Sequence, residues 1–201
     1  MKDLNRHINF ILATLVSLFS APAAFGSTLD VCKTCTYTSV KQAVKKAKSG
    51  DTVVVDGGVY KEFGIEVNKP LTLIGQNNPV IDGNYQGQII TVTADNVTIQ
   101  GLTLKNIKTS YTKDDAAIRV IERSNIRILN NTILNTYFGI YLQNSDHCLI
   151  EGNTVIGKDV KGVNESSLGN AIHLWYTSNS IISNNRVEGH RDGIYLEFVE
   201  D

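Results

Sequence analysis

Proline and cysteine are both scarce, at three residues each in a chain of 201. Three cysteines are too few for a disulfide scaffold. There is no surplus of positive charge. Nineteen basic residues stand against twenty acidic ones, a formal net charge of −1, which argues against a nucleic-acid partner. Charged residues make up 19%, below the ~25% usual for soluble domains. Hydrophobic residues at 42% are too many for a disordered chain. No apolar run reaches the ~20 residues needed to span a bilayer. What is abundant is asparagine, nineteen residues, with sixteen glycines. That pairing, with so little proline, points to many tight turns between short strands.

The first segment reads as an address. Lys2, Arg6 and His7 form a charged head, offset by Asp3, and Ile8 to Ser20 is mostly apolar. Small residues follow at Ala21, Ala23, Ala24 and Gly26. This is the layout of a secretory signal peptide, with cleavage expected after Gly26. The apolar run, about 13 residues long, is too short for an anchor. Cys32 follows Leu29, Asp30 and Val31, which lack the small residues of a lipoprotein signal. The expected mature chain is exported, without a transmembrane segment.

A repeat governs the rest. Four segments align without gaps: Asn96-VTIQGLTLK-Asn106, Asn125-IRILNNTIL-Asn135, His147-CLIEGNTVI-Gly157 and Asn179-SIISNNRVE-Gly189. A shorter motif recurs as Gly64-IEV, Ile89-ITV, Ala117-IRV, Gly139-IYL, Ala171-IHL and Gly193-IYL. Its last three intervals are 22, 32 and 22 residues. The long interval is 22 plus a ten-residue insertion that falls within the polar stretch Lys158-DVKGVNESSL. A fixed period near 22 with period-two apolar alternation marks a solenoid of short strands. Asn and Gly fall at the bends, as in Asn130-Asn131, Gly152-Asn153 and Asn184-Asn185, where left-handed backbone is tolerated. Stacked bends let Asn side chains bond the next coil. The expectation is an all-β, right-handed parallel β-helix of about 22 residues per coil. Six coils at about 4.8 Å give a rod of about 29 Å.

One helix is expected, in Ser39-VKQAVKKAKSG-Asp51, with Val40, Ala43, Val44 and Ala47 on one face. Ser39 and Gln42 have capping-box spacing, and Gly50 follows the end. This helix would cover the open end of the solenoid. The chain stops three residues after Phe198 with no cap following, so the sequence reads as the N-terminal part of a longer protein. The resulting division is 1–26 signal peptide, 27–51 N-terminal segment and capping helix, and 52–201 repeats.

The stretches Lys69-PLTLIGQNNPVIDG, Ala94-DNVTIQGLTLKN, Gly169-NAIHLWY and His190-RDGIYLEFVED resemble the NosD family of CASH-type β-helix proteins. The resemblance extends over about the whole mature chain. The helix and repeat core are shared with sugar-processing β-helices, whereas HLWY and RDGIYLEF at their repeat positions are more telling. The resemblance implies a periplasmic accessory protein, not an enzyme. It would assist maturation of the copper centres of nitrous oxide reductase beside ABC transporter components, with copper as a transient cargo. The alternative is a carbohydrate-binding or polysaccharide-processing β-helix protein.

Candidate residues follow from the repeat. The position after Ile in the short motif reads Glu66, Thr91, Arg119, Tyr141, His173, Tyr195, and two residues on comes Ile121, Gln143, Trp175, Glu197. Alternation places both stripes on the outer face. Tyr141, His173, Trp175, Tyr195 and Glu197, with Arg191 and Asp192, form a candidate partner- or ligand-binding face; side-chain stacking that stiffens the sheet is the plainer alternative. For copper, soft or imidazole ligands are needed. The only Met is Met1, which excludes a Met-rich motif. The candidates are Cys32, Cys35, His173 and His190. Cys32 and Cys35 read first as a local disulfide in an oxidising compartment, and a lone CxxC is a weak metal signal. His147 aligns with bend asparagines, and Cys148 with core positions. Asp114, Asp115 and Arg119 are the nearest approach to a lyase-type cluster, and they are sparse. No His-Asp pair on the stripe, phosphate loop or nucleophile elbow is present.

Overall fold

The computed structural model describes residues 26–110, 113–158 and 168–201. The leader therefore lies outside the described residues except for Gly26, as does nearly all of the polar insertion. The rest of the chain winds as a parallel β-helix with three sheets. The first sheet stacks β1 (Thr28–Val31), β2 (Thr52–Val55), β5 (Thr72–Gly75), β8 (Thr98–Gln100), β11 (Arg127–Leu129), β14 (Leu149–Glu151) and β17 (Ile181–Ser183) in that order. The second stacks β3 (Val59–Lys61), β6 (Val80–Asp82), β9 (Thr103–Lys105), β12 (Thr132–Thr136), β15 (Thr154–Gly157) and β18 (Arg186–Glu188). The third stacks β4 (Ile65–Val67), β7 (Ile90–Val92), β10 (Ala116–Ile121), β13 (Phe138–Gln143), β16 (Asn170–Trp175) and β19 (Asp192–Glu197).

The register is the one the repeat predicts. Ile65, Ile90, Ile118, Ile140, Ile172 and Ile194 pair successively down the third sheet. The first five are fully buried and pack with Val53, Leu73, Ile99, Ile128 and Ile150 of the first sheet. Each strand thus gives alternate side chains to one continuous apolar core, the main stabilising contribution.

The corners explain the asparagines. Among the described residues, eleven of the sixteen non-glycine residues with positive φ are Asn, the side chain that tolerates this conformation best after glycine. His147, at φ 50°, shares a corner column with Asn96, Asn125 and Asn179, as its alignment predicts. Immediately inside another corner, Asn131, Asn153 and Asn185 form a ladder. Asn153 Oδ1 accepts from the Asn131 amide N–H at 2.9 Å, and Asn185 Oδ1 accepts from that of Asn153 at 2.9 Å. Their Nδ2 groups donate to the carbonyls of Ile99, Ile128 and Ile150. Buried corner groups are thereby paired without water.

The N-terminal end departs from expectation in two respects. The segment before the helix holds strand β1, which pairs with β2 from Thr28↔Thr52 to Val31↔Val55. The helix α1 is also shorter than its pattern, spanning Val40–Lys46. Tertiary contacts end it. Lys69 Nζ donates to the carbonyls of Val44 and Lys45. The Asp51 carboxylate accepts from Lys48 and Ser27 N–H groups at 2.7 Å each, turning the chain into the first sheet. At the other end Ser39 Oγ accepts from Gln42 N–H, while Glu62 accepts from the Val40 and Lys41 N–H groups. Val40, Ala43 and Val44 are buried against the core, as a lid requires.

Candidate functional site

The outer face of the third sheet carries the two predicted stripes in register. Arg119 pairs with Tyr141, Tyr141 with His173 and His173 with Tyr195, while Gln143, Trp175 and Glu197 line up beside them. The rings interlock edge to face. Tyr141 and His173 lie 4.7 Å apart at 90°, and His173 and Tyr195 lie 4.9 Å apart at 84°. The Arg119 guanidinium sits 5.3 Å from the Tyr141 ring and donates to Gln143 Oε1 at 2.9 Å. Such contacts stiffen the face.

Not every stripe residue is accessible. Tyr141 points outward yet is only 4% exposed. Ala116 and Phe138 pack around it in a second small apolar cluster, with Tyr137 and Trp175 against them. Burial pushes its hydroxyl up to about 12, with Asp114 adding in the same direction and Arg119 opposing. Tyr141 is therefore the floor of the face, while Trp175, Tyr195, Glu197, Arg191 and Asp192 retain solvent contact.

His173 is held by a chain of polar contacts. Arg191 donates to Asn170 Oδ1 at 3.2 Å, which turns Asn170 Nδ2 toward His173 Nδ1 at 3.3 Å. Nδ1 thus accepts, and the neutral ring carries its proton on Nε2. Nε2 is buried, makes no hydrogen bond and lies 3.8 Å from Glu197 Oε2. Burial holds the imidazole below its usual value, with Glu197 and Asp114 pulling the other way. Arg191 also donates to Asp192 Oδ2 at 2.7 Å and lies 6.0 Å from the Tyr195 ring. The result is a rigid aromatic surface with a buried N–H donor, a carboxylate and a guanidinium at its rim.

The expected metal ligands do not converge. Cys32 and Cys35 form a disulfide in the β1–α1 connection. His190 occupies the turn before β19, with Nδ1 on the Glu188 carbonyl at 3.0 Å and Nε2 3.4 Å from Thr136 Oγ1. It therefore pins a corner and shares no hydrogen-bond partner with His173. Cys148 is buried in the core, and burial raises its thiol. Among the described residues no three His, Cys, Asp or Glu side chains meet to hold a metal ion.

One feature escaped the sequence reading. Tyr176 and Phe198 stack at 4.5 Å and 15°, both exposed and both at positive φ, with Trp175 edge-on to Tyr176 at 5.2 Å. The repeat held the signal, because each follows a stripe position by one residue.

Over residues 44–197 the chain matches a protein family described as "Periplasmic copper-binding protein (NosD)". The chain belongs to the NosD family. It is 28% identical over 128 residues to the "Probable ABC transporter binding protein NosD" of Pseudomonas aeruginosa, covering 63% of this chain and 29% of that protein. It is 29% identical over 138 residues to the protein of the same description in Stutzerimonas stutzeri, covering 68% and 31%. The chain thus spans about three tenths of the length of these curated relatives. Among solved structures it is similar to the pectin methylesterase PemA of Erwinia chrysanthemi, at 13% identity and a TM-score of 0.44, over 78% of this chain and 66% of that one. NosD proteins are described as periplasmic. Among the described residues no helix is long and apolar enough to cross a membrane.

Proposed function

We propose that this NosD-family protein is a non-enzymatic periplasmic accessory factor. It is exported by a cleaved leader and assists maturation of the copper centres of nitrous oxide reductase together with an ABC transporter. Copper is its cargo. In this reading the outer face around His173, Trp175 and Tyr195 docks a protein partner. The observation that carries the reading is family membership over most of the chain, and the name of its relatives supports the transporter link. The face suits docking because its aromatic rings are immobilised by one another, so little side-chain freedom is lost on binding. Tyr195 and Trp175 are the residue types that dominate such interfaces.

The test is genetic and spectroscopic. A strain lacking the gene should produce nitrous oxide reductase depleted of copper, read by metal analysis and visible absorption. Complementation with Trp175→Ala/Tyr195→Ala should restore the protein level and leave the reductase copper-poor. A fully copper-loaded reductase in the deletion strain overturns the role. Full rescue by the double variant overturns the docking face.

The exposed Tyr176–Phe198 stack favours a second reading, a flat apolar surface for a sugar ring. Retardation in polysaccharide-containing native gels, abolished by Tyr176→Ala, would support that reading in place of the first.

A further inference from the structure

The soft donors of the described chain are unequally available. Cys148 is in the core. Both nitrogens of His190 have partners. His173 Nδ1 faces Asn170, and His147 Nδ1 faces Asp146 at 2.9 Å. Only Cys32 and Cys35 place two sulfurs side by side, and both are committed to their disulfide. A disulfide sulfur is not the thiolate that Cu(I) selects.

That disulfide is not the only tie in the fold around it. Strand β1 is held by four register pairs to β2. The turn is closed independently, by Cys32 N–H donating to the Tyr37 carbonyl at 3.1 Å and by the Val31↔Tyr37 bridge. Tyr60 Oη anchors the Val31 carbonyl at 3.2 Å from behind. The bond encloses only Lys33 and Thr34, so opening it frees little chain. It is also reachable. Cys35 lines a cleft of about 500 Å³ with Asp30, Thr34 and Tyr37.

We propose that Cys32 and Cys35 are a redox-gated Cu(I) site, closed as the disulfide and opened by a dithiol reductant. The proposal rests on the reading of copper as cargo. One thiolate of the reductant enters the cleft and attacks Cys35 Sγ. The intramolecular S–S bond breaks, and Cys32 leaves as a thiolate that takes up a proton. The reductant's second thiolate attacks its own sulfur in the mixed disulfide and releases Cys35, which is protonated in turn. Two electrons and two protons have reached the protein, and the reductant departs as a disulfide. Cu(I) then displaces both thiol protons and binds the two thiolates with no change in its oxidation state. Reoxidation by a disulfide of higher potential expels it.

The test is an anaerobic titration of Cu(I) against a chromophoric Cu(I) chelator. It compares oxidised protein, protein reduced with dithiothreitol and desalted, reduced Cys32→Ser/Cys35→Ser, and reduced Cys148→Ala. The reduced protein and Cys148→Ala should each withdraw one Cu(I) from the chelator and gain thiolate-to-copper absorption in the ultraviolet. The oxidised protein and the double variant should bind at least about 100-fold more weakly. Equal binding by oxidised and reduced protein overturns the site, as does retention by the double variant or loss in Cys148→Ala. Loss of far-ultraviolet circular dichroism on reduction overturns the gate. A negative titration beside a copper-poor reductase in the deletion strain would remove this site and leave the docking role standing.

Discussion

Asn153 shows how much one side chain does in a coiled sheet. It accepts from the Asn131 main chain and side chain, and it donates to the Ile128 and Glu151 carbonyls. It is 1% exposed, so these bonds are made away from bulk water. Asn153→Ala should therefore cost about 2–4 kcal/mol, because several buried groups lose partners together. The change in urea midpoint at constant slope measures it. His173 makes a pH prediction at the same scale. Burial depresses its folded-state value, and that of His190 likewise. The unfolded chain then binds protons that the folded chain refuses. Stability should be level above the unfolded value of about 6.5 and fall as pH drops through it toward the depressed folded values. Glu197, Asp114, Arg191 and Asp192 surround His173, and the three acids, Glu197 first, limit the depression. His173→Gln should flatten the acid limb in denaturation series between about pH 8 and pH 5, and an unchanged limb would contradict the burial account.

The capping helix is the element whose ends are most completely specified. Its first N–H groups go to Glu62 and Ser39, and its last carbonyls go to Lys69. Glu62 and Lys69 come from the first coil, so helix and coil are joined at both ends. Glu62→Ala should lower stability by about 1–2 kcal/mol, more than Ser39→Ala, because it strips two N–H groups where Ser39 serves one. Thermal midpoints of the two variants decide the order. The helix pattern in the sequence extended to Ser49. Lys69 and Asp51 shorten it from outside, an effect that local periodicity does not encode.

Along the whole molecule, each coil touches only its neighbours, so stability is distributed as in a one-dimensional stack. Ile140 and Ile194 occupy the same column. The first is fully buried and the second is 48% exposed. Ile140→Ala should cost about 2–5 kcal/mol, and Ile194→Ala well under half as much. Amide hydrogen exchange should show protection falling from β13 toward β19, where Leu196 and Phe198 are also exposed. Uniform protection along the third sheet would contradict a stack built of nearest-neighbour contacts.

The register was legible because a solenoid is periodic. The motif intervals of 22, 32 and 22 residues place Ile118, Ile140, Ile172 and Ile194 in one column, and the corner asparagines announce the positive-φ bends. The two outer stripes followed from the same arithmetic. Their depth did not. Tyr141 shares a stripe with Tyr195 but lies beneath Phe138, Arg119 and His173, because covering depends on how neighbouring coils place their bulk. Strand β1 was hidden because it lies before the helix and carries no copy of the repeat motifs. The proposed metal ligands fall on different levels of the stack. Sequence alone supplied the donor types, while the winding of the chain put Cys32 and Cys35 in the N-terminal connection and His173 five coil levels away in the same stack. Periodicity, a local property, thus determined the coil and its columns. Which side chains are covered, and which donors meet, was decided only when the columns packed side by side.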